Sequence, residues 1–144
     1  MKIDCKNLIL ILLAGGIGSR LGSKISKQMI NIDNMTILEK CISSFSENLK
    51  NFKTLIVSNN KDFNKIKFIA DKYKLLKPII GGNNRQDSVY NAIISLKKKS
   101  PEFVLIHDSA RPVVIKEVLE NLIKNMLKIN TCVIPVLPLN DTIR

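Results

Sequence analysis

The sequence contains no tryptophan, and aromatic residues make up only 5% of its 144 residues. Proteins that bind single-stranded nucleic acid use aromatic side chains as stacking platforms, and this chain offers nothing similar. The net charge of +11 would suit a polyanion, but the lysines are dispersed. Their only run, Lys97-Lys98-Lys99, ends a predicted helix, where it complements the helix dipole. Small anionic substrates explain the charge equally well, so we expect no nucleic-acid partner.

Cysteine and histidine are also scarce. Cys5, Cys41 and Cys132 are far apart and odd in number, and the chain has one histidine. Without a C-x-x-C pair, this pattern argues against a zinc site and a disulfide framework and indicates a reducing compartment. The apolar run near the N-terminus is too short to span a bilayer and leads into a glycine loop instead of a cleavage site. We expect a cytoplasmic protein without a membrane partner.

The length of the chain is that of one domain. Apolar runs of strand length alternate with segments of helical period, which is the pattern of an α/β protein with a parallel sheet. The predicted strands are residues 8–14, 53–58, 77–80, 103–107 and 131–135. Apolar residues fall on one helical face within residues 37–45, 89–96 and 118–127, which predicts a helix at each, and a further helix is predicted over residues 62–73. Thr36 and Glu39 have the spacing of a capping box at the first of these helices.

The most informative segment is a glycine loop after the first predicted strand, Gly15-Gly16-Ile17-Gly18-Ser19-Arg20, followed by Lys27. Glycine lets the backbone turn and brings N–H groups against a ligand, while Arg20 and Lys27 supply cationic donors for phosphate oxygens. The loop lacks the third glycine of a dinucleotide fingerprint and the Gly-Lys-Ser/Thr of a P-loop. A nucleoside triphosphate is the ligand that suits the remaining pattern.

Arginine is rare among the 23 basic residues and occurs only at positions 20, 85, 111 and 144. Its planar fork suits phosphate or carboxylate recognition, and we expect that role for Arg20, Arg85 and Arg111. For Arg144, function and chance placement are equally open. Open α/β sheets bind ligands outside the carboxyl ends of their strands. Polar segments follow four predicted strands, at residues 15–20, 81–85, 108–111 and 141–142, so we expect them to converge on one rim.

Two of these segments also have a purely structural interpretation. Gly81 and Gly82 can form a turn, with Asp87 or Ser88 capping the next helix, although the same serine could bind the edge of a base. Asp108 is either a turn residue or, beside a triphosphate, an acceptor for sugar hydroxyls or a ligand for Mg²⁺. His107, in contrast, is expected to be structural.

Together the motifs resemble the 2-C-methyl-D-erythritol 4-phosphate cytidylyltransferase family. They are Leu13-Ala14-Gly15-Gly16-Ile17-Gly18-Ser19-Arg20 with Lys27-Gln28, Gly81-Gly82-x-x-Arg85-x-x-Ser88-Val89, His107-Asp108-Ser109-Ala110-Arg111-Pro112, and Pro135 with Asp141-Thr142-Ile143-Arg144. The resemblance implies a Rossmann-like, mostly parallel sheet with helices on both faces, of the nucleotide-diphospho-sugar transferase type. It implies transfer of CMP from CTP to methylerythritol phosphate in the non-mevalonate isoprenoid pathway. Ribitol-5-phosphate cytidylyltransferases look similar and are the alternative.

The resemblance also implies roles for individual residues. Arg20 and Lys27 are the expected catalytic residues, beside the triphosphate. The expected nucleotide-binding residues are Ala14, Gly15, Gly16, Gly18, Gly82, Arg85, Ser88 and Asp108. Arg111 and Thr142 are expected to bind the polyol phosphate. Mg²⁺ is the expected cofactor, with Asp108 as its candidate ligand.

The sequence departs from the family at two places. Ser26 stands where family members usually have proline, and the sequence stops at Arg144, whereas members continue into a dimerisation arm and a further substrate-binding lysine. We therefore expect one C-terminally truncated cytidylyltransferase domain over residues 1–144, which forms a homodimer if the arm is present. A non-catalytic CTP-binding fragment is the second hypothesis. A basic nucleic-acid-binding module, recognisable by a steep salt dependence, is the third.

Overall fold

The computed structural model describes residues 2–16, 25–129 and 132–138. Contacts divide the chain into two units, residues 1–113 and residues 114–144, so the expectation of one domain stays a prediction. The strands of the first unit are β1 (Ile3–Asp4), β2 (Leu8–Ala14), β3 (Asn31–Ile32), β4 (Met35–Thr36), β5 (Leu49–Lys50), β6 (Lys53–Ser58), β7 (Ile79–Ile80) and β8 (Phe103–Asp108). Its helices are α1 (Ile37–Asn48), α2 (Phe63–Lys72) and α3 (Arg85–Ser95), with 3-10 turns at Lys27–Met29 and Lys97–Lys99.

The main sheet has the strand order β7-β6-β2-β8, and all its neighbouring strands are parallel. Strand β2 lies inside this sheet, and its residues from Leu8 to Leu12 are buried. A strand that is covered on both faces has a nearly continuous apolar sequence, which explains the run of leucine and isoleucine in β2. The predicted α/β fold with a mostly parallel sheet is confirmed. Strands β3 and β4 form the antiparallel exception.

Helices cover both faces of the sheet. On one face, Ile9 and Ile11 of β2 pack in a cluster that contains Ala92 and Leu96, at and just beyond the C-terminal part of α3. Side chains alternate between the faces of a strand, so His107 of β8 lies on the opposite face from Ile106. There its ring meets Phe45 of α1 edge-on, with 5.0 Å between the ring centroids. The predicted arrangement with helices on both faces is therefore confirmed.

Helix α1 begins with the predicted capping box. The Thr36 hydroxyl accepts from the Glu39 N–H at 3.1 Å, and the Glu39 carboxylate accepts from the Thr36 N–H at 2.9 Å. The same carboxylate accepts from Lys72 of α2 at 2.8 Å, which joins the two helices. Burial by itself raises the pKa of Glu39, but the contacts with Lys72 and Thr36 outweigh it and hold that pKa below its ordinary value of 4.5.

The strand ends differ slightly from the prediction. The third predicted strand, residues 77–80, is shortened to Ile79–Ile80, because Pro78 has no N–H for a sheet hydrogen bond. The fourth continues one residue further, to Asp108. Its last pairing joins Asp108 to Leu13 of β2, and the Ser109 N–H then donates to the Leu13 carbonyl at 3.1 Å. This pairing holds the start of the 108–111 segment at the edge of the sheet.

The second unit contains α4 (Lys116–Ile129), in which Leu119 and Ile123 are buried. The prediction of a strand at residues 131–135 is wrong for residues 132–135, which have no regular structure, while residue 131 lies outside the described residues. An apolar run becomes a strand only when another strand pairs with it, and Ile134 remains 72% exposed. None of the helices within the described ranges has the length and apolar composition needed to cross a bilayer.

Candidate functional site

A cleft of about 760 Å³ lies at the carboxyl ends of the four parallel strands. The residues that line it follow β2, β6, β7 and β8, and the 3-10 turn at Lys27–Met29 and the start of α3 add to it. The predicted site residues among them are Gly15, Gly16, Lys27, Gly82, Arg85, Ser88, Asp108 and Arg111. The sheet therefore brings together side chains from three sequence motifs that are far apart in the chain.

The segment Gly15-Gly16 leaves the end of β2 with its backbone open to the cleft. A Cβ atom built on either glycine meets no described atom within 4 Å, and neither residue has a positive φ. Packing within the described part of the chain therefore does not require glycine at these positions. The absence of side chains instead lets a ligand approach the backbone closely.

Three polar side chains, which we call the amide clamp, lie beneath this segment: Gln28, Asn59 and Asp62. The Gln28 amide donates to the Ala14 carbonyl at 2.7 Å and to Asp62 Oδ2 at 3.3 Å. The Asn59 amide donates to the Gly15 carbonyl at 3.3 Å and to the same Asp62 oxygen at 3.0 Å. Gln28 is 2% exposed and Asp62 is 4% exposed, whereas Asn59 is half-buried and lines the cleft, so the clamp connects the interior to the cleft.

Lys27 stands beside the amide clamp in the sequence but faces the cleft, where its side chain is half-buried. Within the described ranges its ammonium has no carboxylate within ion-pair distance. A half-buried ammonium without an anionic partner favours an anionic ligand, because that ligand would supply the missing opposite charge. This arrangement is what the predicted contact between Lys27 and a triphosphate requires.

The second glycine segment, Gly81-Gly82, is packed tightly against the start of α3. The Ser88 hydroxyl accepts from the Gly82 N–H at 3.1 Å and donates to the Asn84 carbonyl at 2.8 Å. A Cβ atom on Gly82 would overlap with the Asp87 Cβ, so only glycine fits here. Asn84, not Asp87 or Ser88, caps α3 by accepting from the Asp87 N–H at 2.8 Å.

Two arginines flank the Asp108 carboxylate. Arg85 Nε lies 3.2 Å from Asp108 Oδ1, and Arg111 Nε lies 3.6 Å from Asp108 Oδ2. All three side chains are well exposed, with fractions of 40% for Asp108, 64% for Arg85 and 78% for Arg111. Exposed ion pairs contribute little to stability, so a phosphate or a hydroxyl could replace these contacts at small cost.

His107 and Ser109 support the strand end next to this cluster. The Ser109 hydroxyl donates to the Leu13 carbonyl at 2.8 Å. The Nε2 atom of His107 is 2.8 Å from the Arg111 carbonyl, and its ring packs on Phe45. These are the contacts of a structural residue, as expected for His107, and they hold the backbone that carries Arg111.

Some predicted residues lie elsewhere. Ala14 is only 1% exposed and does not line the cleft, although its carbonyl is held by the amide clamp. Gly18, Arg20, Thr142 and Arg144 lie outside the described residues. The roles expected for all these residues stay predictions.

Nothing in the sequence patterns assigns a function to the amide clamp. In the sequence, Gln28 stands out only as the neighbour of Lys27, and Asn59 only as the polar residue that ends the second predicted strand. Asp62 is the first residue of the second predicted helix, and in the structure its side chain makes no capping hydrogen bond there. The weak signal is three polar residues, one in the turn at Lys27–Met29, one just after β6 and one at the start of α2, and the fold brings Gln28 to Asp62 from 34 positions away.

Asp108 is the one carboxylate that lines the described part of the cleft. No group of three or more histidine, cysteine, aspartate and glutamate residues within the described ranges could hold a metal ion. Mg²⁺ is commonly bound by one or two carboxylates together with the phosphates of a substrate. The residues present therefore fit a metal ion that arrives on a triphosphate, and do not form a metal cage of their own.

Comparison with known proteins agrees with this geometry. The chain is 41% identical over 124 residues to the 2-C-methyl-D-erythritol 4-phosphate cytidylyltransferase of Wigglesworthia glossinidia brevipalpis, a match that covers 85% of this chain and 52% of the relative. It is 38% identical over 142 residues to the Clostridium botulinum (strain ATCC 19397 / Type A) protein of the same name, covering 96% of this chain and 61% of that protein. The chain therefore spans little more than half the length of these relatives.

Solved structures show the same relationship. The 4-diphosphocytidyl-2C-methyl-D-erythritol synthase of Anaerococcus prevotii matches with a TM-score of 0.68 and 25% identity, over 85% of this chain and 52% of that one. The bifunctional IspDF of Campylobacter jejuni matches with a TM-score of 0.67 and 28% identity, over 84% of this chain and 31% of that one. A sequence profile of the family described as 2-C-methyl-D-erythritol 4-phosphate cytidylyltransferase (IspD) matches residues 8–144. The chain belongs to this family.

Proposed function

We propose that the protein transfers CMP from CTP to 2-C-methyl-D-erythritol 4-phosphate, with release of pyrophosphate and formation of CDP-methylerythritol. The observation that carries this proposal is the cleft, in which the open backbone of Gly15-Gly16 and the half-buried Lys27 lie with Arg85 and Arg111. Family membership supports the choice of nucleotide and acceptor. The chain spans 52% and 61% of two curated relatives, so catalysis by this length of chain needs a direct test.

The triphosphate would bind at the Gly15-Gly16 side of the cleft. Backbone N–H groups bind phosphate oxygens without bringing a charge of their own, and the Lys27 ammonium adds a cation from the neighbouring turn. Arg20, outside the described residues, is expected to add a second cation. The base and ribose would then lie toward Gly82, Ser88 and Asp108, where hydroxyl and carboxylate groups can bind them.

The acceptor is a phosphate monoester with a second pKa of about 6, so near neutral pH it is largely a dianion and needs no general base. Its oxygen attacks the α-phosphorus of CTP in line. A new P–O bond forms as the bond to the bridging oxygen of the β-phosphate breaks, and the electron pair leaves with pyrophosphate. Catalysis then consists of positioning two anions and offsetting the developing charge, the task we assign to Lys27 and Arg20.

We include Mg²⁺ in the proposal as the ion that accompanies the triphosphate and neutralises part of its charge. Asp108 is the side chain that would hold it, which requires the carboxylate to loosen its contacts with Arg85 and Arg111. Arg111, released in this way and 78% exposed, is placed to bind the acceptor phosphate. Thr142 is the second residue proposed for this phosphate.

Two further proposals concern the whole protein. Its expected homodimeric state rests on the family resemblance, and sedimentation velocity of the purified protein tests it directly. Its expected cytoplasmic location is supported by the sparse, unpaired cysteines. Fractionation of the source cells tests that location.

The decisive experiment measures pyrophosphate release by the purified chain with CTP and Mg²⁺, using methylerythritol phosphate or ribitol phosphate as acceptor. A thermal-shift titration with CTP, and with ATP as the control nucleotide, runs in parallel. We expect release with methylerythritol phosphate and a shift that CTP produces at lower concentration than ATP. If pyrophosphate is released with ribitol phosphate and not with methylerythritol phosphate, the acceptor is ribitol phosphate. A CTP-induced thermal shift without pyrophosphate release would identify a non-catalytic nucleotide-binding chain. The absence of both the shift and the release would overturn the proposal.

A further inference from the structure

We propose that the amide clamp is a positioning device that aims the N–H groups of Gly15 and Gly16 into the cleft. This inference rests on the proposed nucleotide-binding function of the same cleft. It assigns to Gln28, Asn59 and Asp62 a role in ligand binding, although only Gln28 and Asn59 reach the cleft wall and Asp62 does not line it.

The orientation follows from the geometry of the peptide bond. A trans peptide is planar, so its C=O and N–H point in opposite directions. Gln28 holds the Ala14 carbonyl, which belongs to the same peptide as the Gly15 N–H. Asn59 holds the Gly15 carbonyl, which belongs to the same peptide as the Gly16 N–H. With both carbonyls drawn toward the clamp, both N–H groups point away from it, on the side where a ligand would bind.

Asp62 determines which way the two amides are turned. A side-chain amide has a donor end and an acceptor end of nearly equal shape, whereas a carboxylate only accepts. Both Gln28 and Asn59 donate to Asp62 Oδ2, so each must turn its NH₂ group toward it. The other hydrogen of each NH₂ group is then left for a carbonyl of the Ala14-Gly15 segment. The Asp62 N–H adds to this by donating to Asn59 Oδ1 at 2.8 Å, which fixes the acceptor end of that amide.

The location of the clamp distinguishes this role from ordinary support of a helix. Asp62 is at the N-terminal boundary of α2, but its side chain makes no capping hydrogen bond there. Its carboxylate is used for Gln28 and Asn59 instead. The buried Asp62 carboxylate accepts from two side-chain amides, and each of these amides holds a backbone carbonyl at the cleft. This arrangement indicates that Asp62 stabilises the backbone geometry at the cleft.

The test compares Asp62→Asn with the wild-type chain. Asparagine has nearly the same shape but can also donate, so the two amides are free to turn over. The matched control is Asp71→Asn, which changes an exposed carboxylate within α2. CTP affinity is measured by calorimetry, unfolding by urea titration, and the Gly15 and Gly16 amides by ¹H–¹⁵N NMR of the ligand-free chain.

We expect Asp62→Asn to remain folded, to change the chemical shifts of both the Gly15 and Gly16 amide resonances, and to weaken CTP binding about tenfold. Asp71→Asn should match the wild type in all three measurements. Weaker binding with unmoved resonances would overturn the inference, as would wild-type affinity in a folded Asp62→Asn variant. If the wild-type chain does not bind CTP, both the proposed function and the role of the clamp in nucleotide binding are overturned. If the wild-type chain binds CTP but the variants do not behave as expected, only the positioning role of the clamp is overturned and the proposed function stands.

A second variant keeps the test decisive if Asp62→Asn does not fold. Asn59→Ala removes the contact with the Gly15 carbonyl and leaves Gln28 in place, so the two arms of the clamp can be separated. We expect it to move the Gly16 amide resonance more than that of Gly15 and to weaken CTP binding severalfold. Equal displacement of both resonances, or unchanged CTP affinity, would contradict the assignment of one amide to each carbonyl.

Discussion

The two glycine pairs of the cleft look alike in the sequence and differ in the structure. A Cβ atom at Gly15 or Gly16 would enter space free of described atoms, whereas a Cβ atom at Gly82 would overlap with Asp87. The first pair is held from below by long-range contacts to the amide clamp. In the second pair, the Gly82 N–H donates to the nearby Ser88 hydroxyl, which itself donates to the Asn84 carbonyl, while the Gly81 N–H donates to the Ser58 carbonyl of β6 at 2.8 Å.

This difference shows that glycine has two separate functions in one site. At Gly82 it permits a close approach within the protein, so a side chain there would disturb the fold. At Gly15 and Gly16 it leaves the backbone bare, so a side chain there would obstruct a ligand. Substitutions at the two pairs should therefore affect different measurements.

The largest effect is expected from Gly82→Ala. The added methyl group would overlap with the Asp87 side chain and would lie 3.1 Å from the Asp87 carbonyl carbon. The loop must therefore shift. We expect the free energy of unfolding to fall by roughly 1–3 kcal/mol in a urea titration. Gly16→Ala is the matched control and should keep near-wild-type stability while losing affinity for CTP. Equal stability losses in the two variants would remove the distinction between the pairs.

Lys27→Ala should act on the ligand and not on the fold. The ammonium has no carboxylate partner among the described residues, so its removal breaks no ion pair of the protein. A hydrogen bond to a charged group contributes about 1.5–3 kcal/mol, so CTP affinity should fall about tenfold to a hundredfold, and any turnover should fall further. Lys67→Ala, at an exposed position of α2, is the control. Unchanged CTP binding in Lys27→Ala would place the triphosphate elsewhere.

Glu39→Gln tests a carboxylate that serves the fold away from the cleft. The pKa of Glu39 is held below its ordinary value in the folded protein, so its stabilisation is present above about pH 4.5 and is lost as the pH falls through the lowered pKa. We expect the variant to lose about 1 kcal/mol of stability at pH 7, and its stability to depend less on pH than that of the wild type as the pH falls below about 4.5.

Urea titrations at several pH values check this prediction, and Glu47→Gln, at an exposed position of α1, is the control. A pH dependence of Glu39→Gln that matches the wild type would contradict it. CTP affinity at pH 7 should stay unchanged in both variants, because neither carboxylate lines the cleft.

The smallest effect, and one that should increase stability, is expected from Ser26→Pro. The φ of Ser26 is −64°, which proline adopts without strain. Its hydroxyl is buried and has no hydrogen-bond partner within the described residues, so the substitution also removes an unsatisfied polar group. Stability should rise by about 0.4–1 kcal/mol, measured by thermal unfolding. Destabilisation would show that this turn needs the serine N–H or hydroxyl.

Much of the fold follows from local patterns. The apolar run of β2, the alternation of strands and helices, and the Thr36–Glu39 capping box were all predicted correctly because each depends on neighbouring residues. Residues 132–135 show where such patterns fail. Their apolar character favours a strand, but strand formation also needs a partner, and no strand pairs with these residues in the described part of the chain.

For the site, the sequence by itself determined the chemistry: the two glycine pairs, Lys27, and the arginines at strand ends. Only the tertiary structure decided how these groups are used. It placed Asp62 under the Gly15 loop, left Lys27 facing the cleft, and packed Gly82 against Asp87. The reason is that residue type fixes which bonds a group can form, whereas the parallel pairing of β2, β6, β7 and β8 fixes which distant groups come within reach.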